Sequence, residues 1–235
     1  MFLLRFRIVF AALILLPCAA RAQAQQPQPP ERVIINYIAP VNTDTVNMLI
    51  NIVNAQVRNG TKKITIVVAS SGGDPSAAFA AYNYLRSVQA EITTFNGGTV
   101  DSAAMFIFCA GKIRYSLPGP SRFLMHATSL NPMTVSVPIE GRWIEAQLAQ
   151  LKNMDHMAAQ IIAANSKKKE SEIEAAIQAQ TILSPEEAKS WGLIQDIKPS
   201  YMEPGAVIVG VNVPPEKQQK PTAPYSSGSP ETVKN

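Results

Sequence analysis

Cysteine and histidine are scarce: the 235 residues hold two of each. Cys18 lies in an N-terminal segment expected to be removed, which leaves Cys109 alone. An intramolecular disulfide is then excluded even in an oxidising compartment. Cys109 sits in an apolar run, where a buried structural thiol is expected. Long hydrophobic runs are also lacking. Ile8 to Leu16 is broken by Pro17 and is too short for a stable membrane anchor, which needs about 20 apolar residues. No basic stripe interleaved with aromatics is present, and Lys167-Lys168-Lys169 runs straight into Glu170, Glu172 and Glu174. That is the pattern of a solvated helix start, so nucleic acid is not an expected partner.

What is present at the N-terminus reads as an export signal. Arg5 and Arg7 precede the apolar run, and Ala19, Ala20 and Ala22 follow it. Cleavage is expected after Ala22, giving a secreted or periplasmic protein with no membrane attachment afterwards. Removing residues 1–22 takes away three arginines and no acid, so the net charge falls from +4 to +1. The basic character therefore belongs mostly to the signal.

The mature chain is 23–30, a polar Pro-rich leader; 31–200, one α/β domain; and 201–235, a tail expected to be largely disordered. With 46% hydrophobic residues, one sizeable core is the natural reading. Strand-like and helix-like stretches alternate: Val33–Ile38, Asp44–Val57, Ile64–Ala69, Pro75–Val88, Ile92–Phe95, Ser102–Ala110, Ile113–Tyr115 and Phe123–Met125. Alternation of this kind predicts repeated βαβ units. From Ile139 to Asn165, apolar residues recur at Ile144, Leu148, Leu151, Met154, Met157 and Ile161, a helical spacing. Unbroken, that helix spans roughly 40 Å, long enough to project and pack on another subunit. A break near Lys152–Asp155 is the alternative.

Three loops carry the chemistry. Ser70-Ser71-Gly72-Gly73 follows a buried strand and precedes a helix, where glycines turn sharply and present backbone N–H groups. Gly97 to Asp101 reads as a polar loop before an apolar helix, with Ser102 either facing a cleft or capping that helix. His126 closes Phe123-Leu124-Met125 at a strand end, a suitable place for a general base. His156 reads as a surface residue of the long helix.

These segments together resemble the proteolytic subunit of Clp-type proteases from Glu31 to about Pro199. The family's Ser-Pro-Gly-Gly between strand and helix is matched by Ser70-Ser71-Gly72-Gly73, and its Gly-x-Ala-Ala-Ser-Met by Gly98-Thr99-Val100-Asp101-Ser102-Ala103. Its Leu-Pro-x-Ser-Arg-x-x-x-His is matched, with one extra residue, by Leu117 to His126. Its Leu-Ser-Ala-x-Glu-Ala is matched by Leu183-Ser184-Pro185-Glu186-Glu187-Ala188. The resemblance implies a ClpP/crotonase-like α/β fold with a long projecting helix and a ring-like homo-oligomer.

It also implies acyl transfer on a peptide or unfolded-protein substrate, with Ser102 as nucleophile, His126 as base, and the N–H groups of Gly73 and Ala103 as oxyanion hole. No metal or cofactor is implied. Because an exported protein meets little ATP, an ATPase partner is not expected.

The match departs at the acid and at the substrate-pairing strand. Gln180 stands where the family has its aspartate, leaving a weak triad or a catalytically inactive binding scaffold as alternatives. Glu170, Glu172 and Glu174 are the substitute acids if the alignment slips. Ala127 to Pro132 lacks the glycines of the family's substrate-pairing strand, and residues 139–151 lack the lysine of a Ser–Lys peptidase. An acyl-CoA enzyme of crotonase type is a third reading, opposed by the Ser102 and His126 motifs.

Overall fold

A computed structural model of the chain describes residues 30–130 and 138–211. The signal 1–22, nearly all of the leader 23–30, Asn131 and Pro132, and the tail beyond 211 lie outside these residues. Runs of β-branched residues make the strands, and amphipathic stretches capped by polar residues make the helices between them. In chain order they are β1 Arg32–Tyr37, α1 Thr43–Arg58, β2 Lys63–Ser70, α2 Pro75–Ser87, β3 Glu91–Asp101, α3 Ala104–Cys109, β4 Ile113–Ser116, β5 Arg122–Leu124, α4 Gly141–Ala164, α5 Glu170–Gln178, β6 Ile182–Leu183, α6 Pro185–Ser190, β7 Asp196–Ile197 and β8 Val207–Gly210.

The strands form one sheet in the order β6-β5-β3-β2-β1-β8, with β4 pairing β3 and β7 pairing β4. Every pairing is parallel except β5 with β6. Parallel strands need crossover helices, and the helices cover one face. On that face Val33, Ile35, Ile64, Ile66, Val68 and Phe123 pack with Leu49 and Val53 of α1, Ala78 and Leu85 of α2, and all of α3. On the other face Ile34, Val67 and Phe95 form a smaller cluster with Tyr115 and Tyr201.

Two expectations change, and one alternative falls. The stretch from Gly97 to Asp101 is strand, not loop: β3 is eleven residues long because it serves two neighbours in turn. Thr93 to Asn96 pair with β4, and Thr99 to Asp101 pair with β5. The domain does not stop at residue 200, because β8 lines up beside β1 from Val33↔Val207 to Asn36↔Gly210. The long helix has no break, since α4 runs 24 residues without interruption, or about 36 Å. Only its C-terminal part is buried, at Ala158, Ala159 and Ile162. Trp143, Ile144 and Leu148 remain 37%, 55% and 50% exposed.

Candidate active site

Ser102 sits on the turn that joins β3 to α3, with φ at 54°, so its backbone adopts the left-handed conformation. Its N–H donates to the Leu124 carbonyl of β5 at 2.8 Å. Its side chain does not cap α3: the N-cap residue is Ala103, which makes no side-chain cap bond. The serine is thus presented at the C-terminal end of the sheet, where ligands bind in open parallel folds.

The Gly72–Gly73 turn between β2 and α2 lies directly against it. A Cβ on Gly72 would stand 2.6 Å from the Asp101 carbonyl oxygen, 2.7 Å from Ser102 Cβ and 3.0 Å from the Ala103 nitrogen, so no other residue fits. Gly72 and Gly73 have φ of 85° and 146°, and the turn is anchored by Val41 N–H donating to the Gly72 carbonyl and Asp74 N–H donating to the Val41 carbonyl, both at 2.8 Å. Among the described residues, the N–H groups of Gly73 and Ala103 donate to no protein acceptor. These are the two donors expected for an oxyanion.

His126 follows β5 and is half-buried. Its Nδ1 lies 2.8 Å from the Ala127 carbonyl. A carbonyl only accepts, so Nδ1 carries the proton and Nε2 is left with its lone pair. On the other side of β5, Phe123↔Leu183 and Leu124↔Ile182 pair antiparallel, and Met125 N–H donates to the Thr181 carbonyl at 2.9 Å. One step further this register sets Gln180 opposite His126. Yet Gln180 is exposed, and among the described residues its amide makes no hydrogen bond to the imidazole; the Ala127 carbonyl takes the Nδ1 proton. No hydrogen bond joins Ser102 Oγ to His126 among the described residues.

The substitute acids are engaged elsewhere. Glu170 and Glu174 meet His156 Nδ1 at 3.0 and 3.1 Å, tying α5 to α4. These three are the one group of described residues with donor atoms close enough for a metal ion, within 4.8 Å of one another, and all are roughly half-exposed. Glu172 accepts the Lys169 N–H at 2.9 Å and pairs with Lys168 at 2.9 Å; first the backbone bond and then the lysine hold its carboxyl below the usual range.

Asp101, where the family pattern has alanine, is 5% exposed and pairs with Arg122 at 2.7 Å, linking β3 to β5 beside Ser102. Its other oxygen, Oδ1, is buried with no partner among the described residues. The Asp101 hydrogen bond in turn raises the Arg122 pKa. Sequence reading missed this pair because its members lie 21 positions apart. It missed the Ala127 carbonyl because every residue carries one.

The sequence profile of the Clp protease family matches residues 26–200. The chain is 26% identical over 171 residues to the ATP-dependent Clp protease proteolytic subunit 1 of Thermobifida fusca, covering 72% of this chain and 75% of the relative. It is 32% identical over 138 residues to proteolytic subunit 2 of Borreliella burgdorferi, covering 58% and 67%. A mutant ClpP1 from Listeria monocytogenes has a similar fold, with a TM-score of 0.62 at 20% identity over 73% of this chain and 93% of that one.

Proposed function

The chain belongs to the Clp protease family, and from that membership together with the export-signal pattern at the N-terminus we propose that it is an exported serine peptidase acting on peptides or unfolded segments without an ATPase. His126 Nε2 takes the proton of Ser102 Oγ as the oxygen attacks the scissile carbonyl. The carbonyl oxygen, now negative, is received by the N–H groups of Gly73 and Ala103. His126 returns the proton to the leaving amine, and water, activated the same way, releases the acid from the acyl-enzyme. No cofactor enters these steps.

The observation that carries this reading is the packing of Gly72 onto Ser102 and Ala103, which brings two unspent N–H donors beside the hydroxyl-bearing residue. Preorganised donors of this kind stabilise charge that develops only in the transition state. The exposed apolar side chains at the start of α4, Trp143, Ile144 and Leu148, fit a homo-oligomer, and the family resemblance supports a ring. Export follows from the N-terminal segment.

A second reading is a binding scaffold with the same assembly and no chemistry. It is favoured by Gln180, which is exposed and has no bond to His126. Hydrolysis of fluorescein-labelled casein by the mature chain, with no ATPase or nucleotide added, separates the two. The peptidase reading expects turnover that falls about a thousandfold or more in Ser102→Ala. Absence of turnover in the wild type leaves the scaffold, and equal turnover in the variant means that Ser102 is not the nucleophile.

A further inference from the structure

Among the described residues no carboxylate bonds to the His126 ring, since Gln180 carries no charge and the three glutamates are held elsewhere. One carboxylate nevertheless reaches the imidazole through a single peptide group. Asp155, midway along α4 and half-buried, accepts the Thr128 N–H at Oδ1 over 2.7 Å and the Gln178 side-chain N–H at Oδ2 over 3.2 Å. The Thr128 N–H and the Ala127 carbonyl belong to the same peptide unit. That carbonyl is the acceptor of the His126 Nδ1 proton, at 2.8 Å.

We propose that Asp155 is the acid of this site and positions His126 through the Ala127–Thr128 peptide. This rests on the reading above, in which His126 serves Ser102. The peptide is planar and trans, so its N–H and C=O point to opposite sides, one to the carboxylate and the other to the imidazole. A carboxylate on the N–H pulls electron density toward the carbonyl oxygen and strengthens the next bond in the chain. Charge-assisted hydrogen bonds are roughly twice as strong as neutral ones, so the peptide is held firmly as well as polarised.

Three things follow for His126. Its ring is fixed in rotation, its tautomer is fixed with Nε2 free, and the imidazolium formed during proton transfer faces a carbonyl made more negative. Met125 N–H, bonded to the Thr181 carbonyl at 2.9 Å, pins the chain on the other side of the histidine. The Gln178 contact ties the same carboxylate to the end of α5. The groove around Asp155, lined also by Lys152, His156, Glu174 and Gln178, is separate from the Gly72–Ser102 turn.

The test uses the full mature chain with nitrogen-15 histidine, in which His156→Gln identifies the His126 signals. The Nδ1–H resonance of His126 is expected to be protected from exchange in the wild type, and to move or broaden in Asp155→Asn. Asparagine keeps an acceptor for Thr128 N–H and removes the charge. In parallel, the rate of Ser102 modification by a fluorophosphonate should fall about tenfold in Asp155→Asn, a loss of one decade in transition-state stabilisation, with little change in reagent affinity. Gln178→Ala, which removes only the anchoring contact, should leave both readouts near wild type. An unmoved Nδ1–H signal in Asp155→Asn overturns the relay whatever Ser102 does. Equal losses in Gln178→Ala and Asp155→Asn overturn it too, because they assign Asp155 a purely structural tether. A moved signal with no labelling of wild-type Ser102 keeps the relay and removes the peptidase reading instead.

Discussion

Two residues other than glycine adopt positive φ among the described residues, Ser102 at 54° and Gln180 at 52°, and they flank His126 from β3 and from the approach to β6. Such conformations cost roughly 1 kcal/mol or more each outside glycine, and here the surrounding hydrogen bonds enforce them. Ser102 is held by its own N–H on Leu124 and by Met105 N–H on its carbonyl at 3.0 Å. Gln180 is held by its N–H on Ile177 at 3.2 Å and by the neighbouring Thr181 N–H on Ala176 at 3.0 Å. Aspartate tolerates the left-handed region better than most side chains, so Gln180→Asp should not destabilise this turn. The variant would set a carboxylate across the strand register from His126, where it could act directly on the ring. Casein hydrolysis is expected to rise about tenfold or more, each factor of ten corresponding to about 1.36 kcal/mol of transition-state stabilisation. Unchanged or lower hydrolysis in a folded Gln180→Asp would mean that the position does not face His126 in the working enzyme. At this scale the placement of Ser102, His126 and the Gly72–Gly73 turn at strand ends was legible, because each sits in a short motif between strand-like and helix-like stretches. The partner of His126 Nδ1 was not, because a backbone carbonyl carries no sequence signature.

At the scale of elements, the legible parts were those with local causes. Leu183-Ser184-Pro185-Glu186-Glu187 works as a capping box: Ser184 N–H donates to Glu187 Oε2 at 2.8 Å and Glu187 N–H donates to Ser184 Oγ at 3.2 Å, which starts α6. Asp74 caps α2 through the Ser76 N–H at 2.8 Å, with Pro75 at the first helical position, where its missing N–H costs nothing. Illegible parts depended on distant partners. The last third of β3 is strand because β5 arrives beside it and Val100 also pairs with Ser70 of β2, and β8 is strand because β1 is there. Arg114 on β4 is a third case. It is buried, and its guanidinium donates to the Leu193 carbonyl at 2.7 Å, the Gly111 carbonyl at 2.8 Å and the Asn165 carbonyl at 2.9 Å. It thereby joins the ends of α3 and α4 to the segment after α6, and burial lowers its pKa from the usual value. Cations suit helix C-termini, where carbonyls lack partners. Arg114→Met would keep the volume and strip those carbonyls of their donor, at a cost of about 3 kcal/mol. Urea denaturation is the check, and a midpoint equal to wild type would show that water replaces the guanidinium without loss.

At the scale of the whole molecule, one sheet brings three separate stretches of chain to one end: the turn after β2, the turn after β3 and the end of β5. Parallel pairing does this, because every strand that carries a site residue points the same way and its following loop emerges at the same edge. The helices lie on the opposite side of the central pairings from the Phe95 cluster, and α4 extends past them with its N-terminal apolar residues uncovered. We propose that this edge is a working nucleophilic site. Its most direct measurement is the intact mass, followed by peptide mapping, of the mature chain after incubation with a fluorophosphonate, which bonds covalently to an activated serine. A single adduct is expected on Ser102 and none in Ser102→Ala. An unmodified wild-type chain, or an adduct on any other serine, would contradict it.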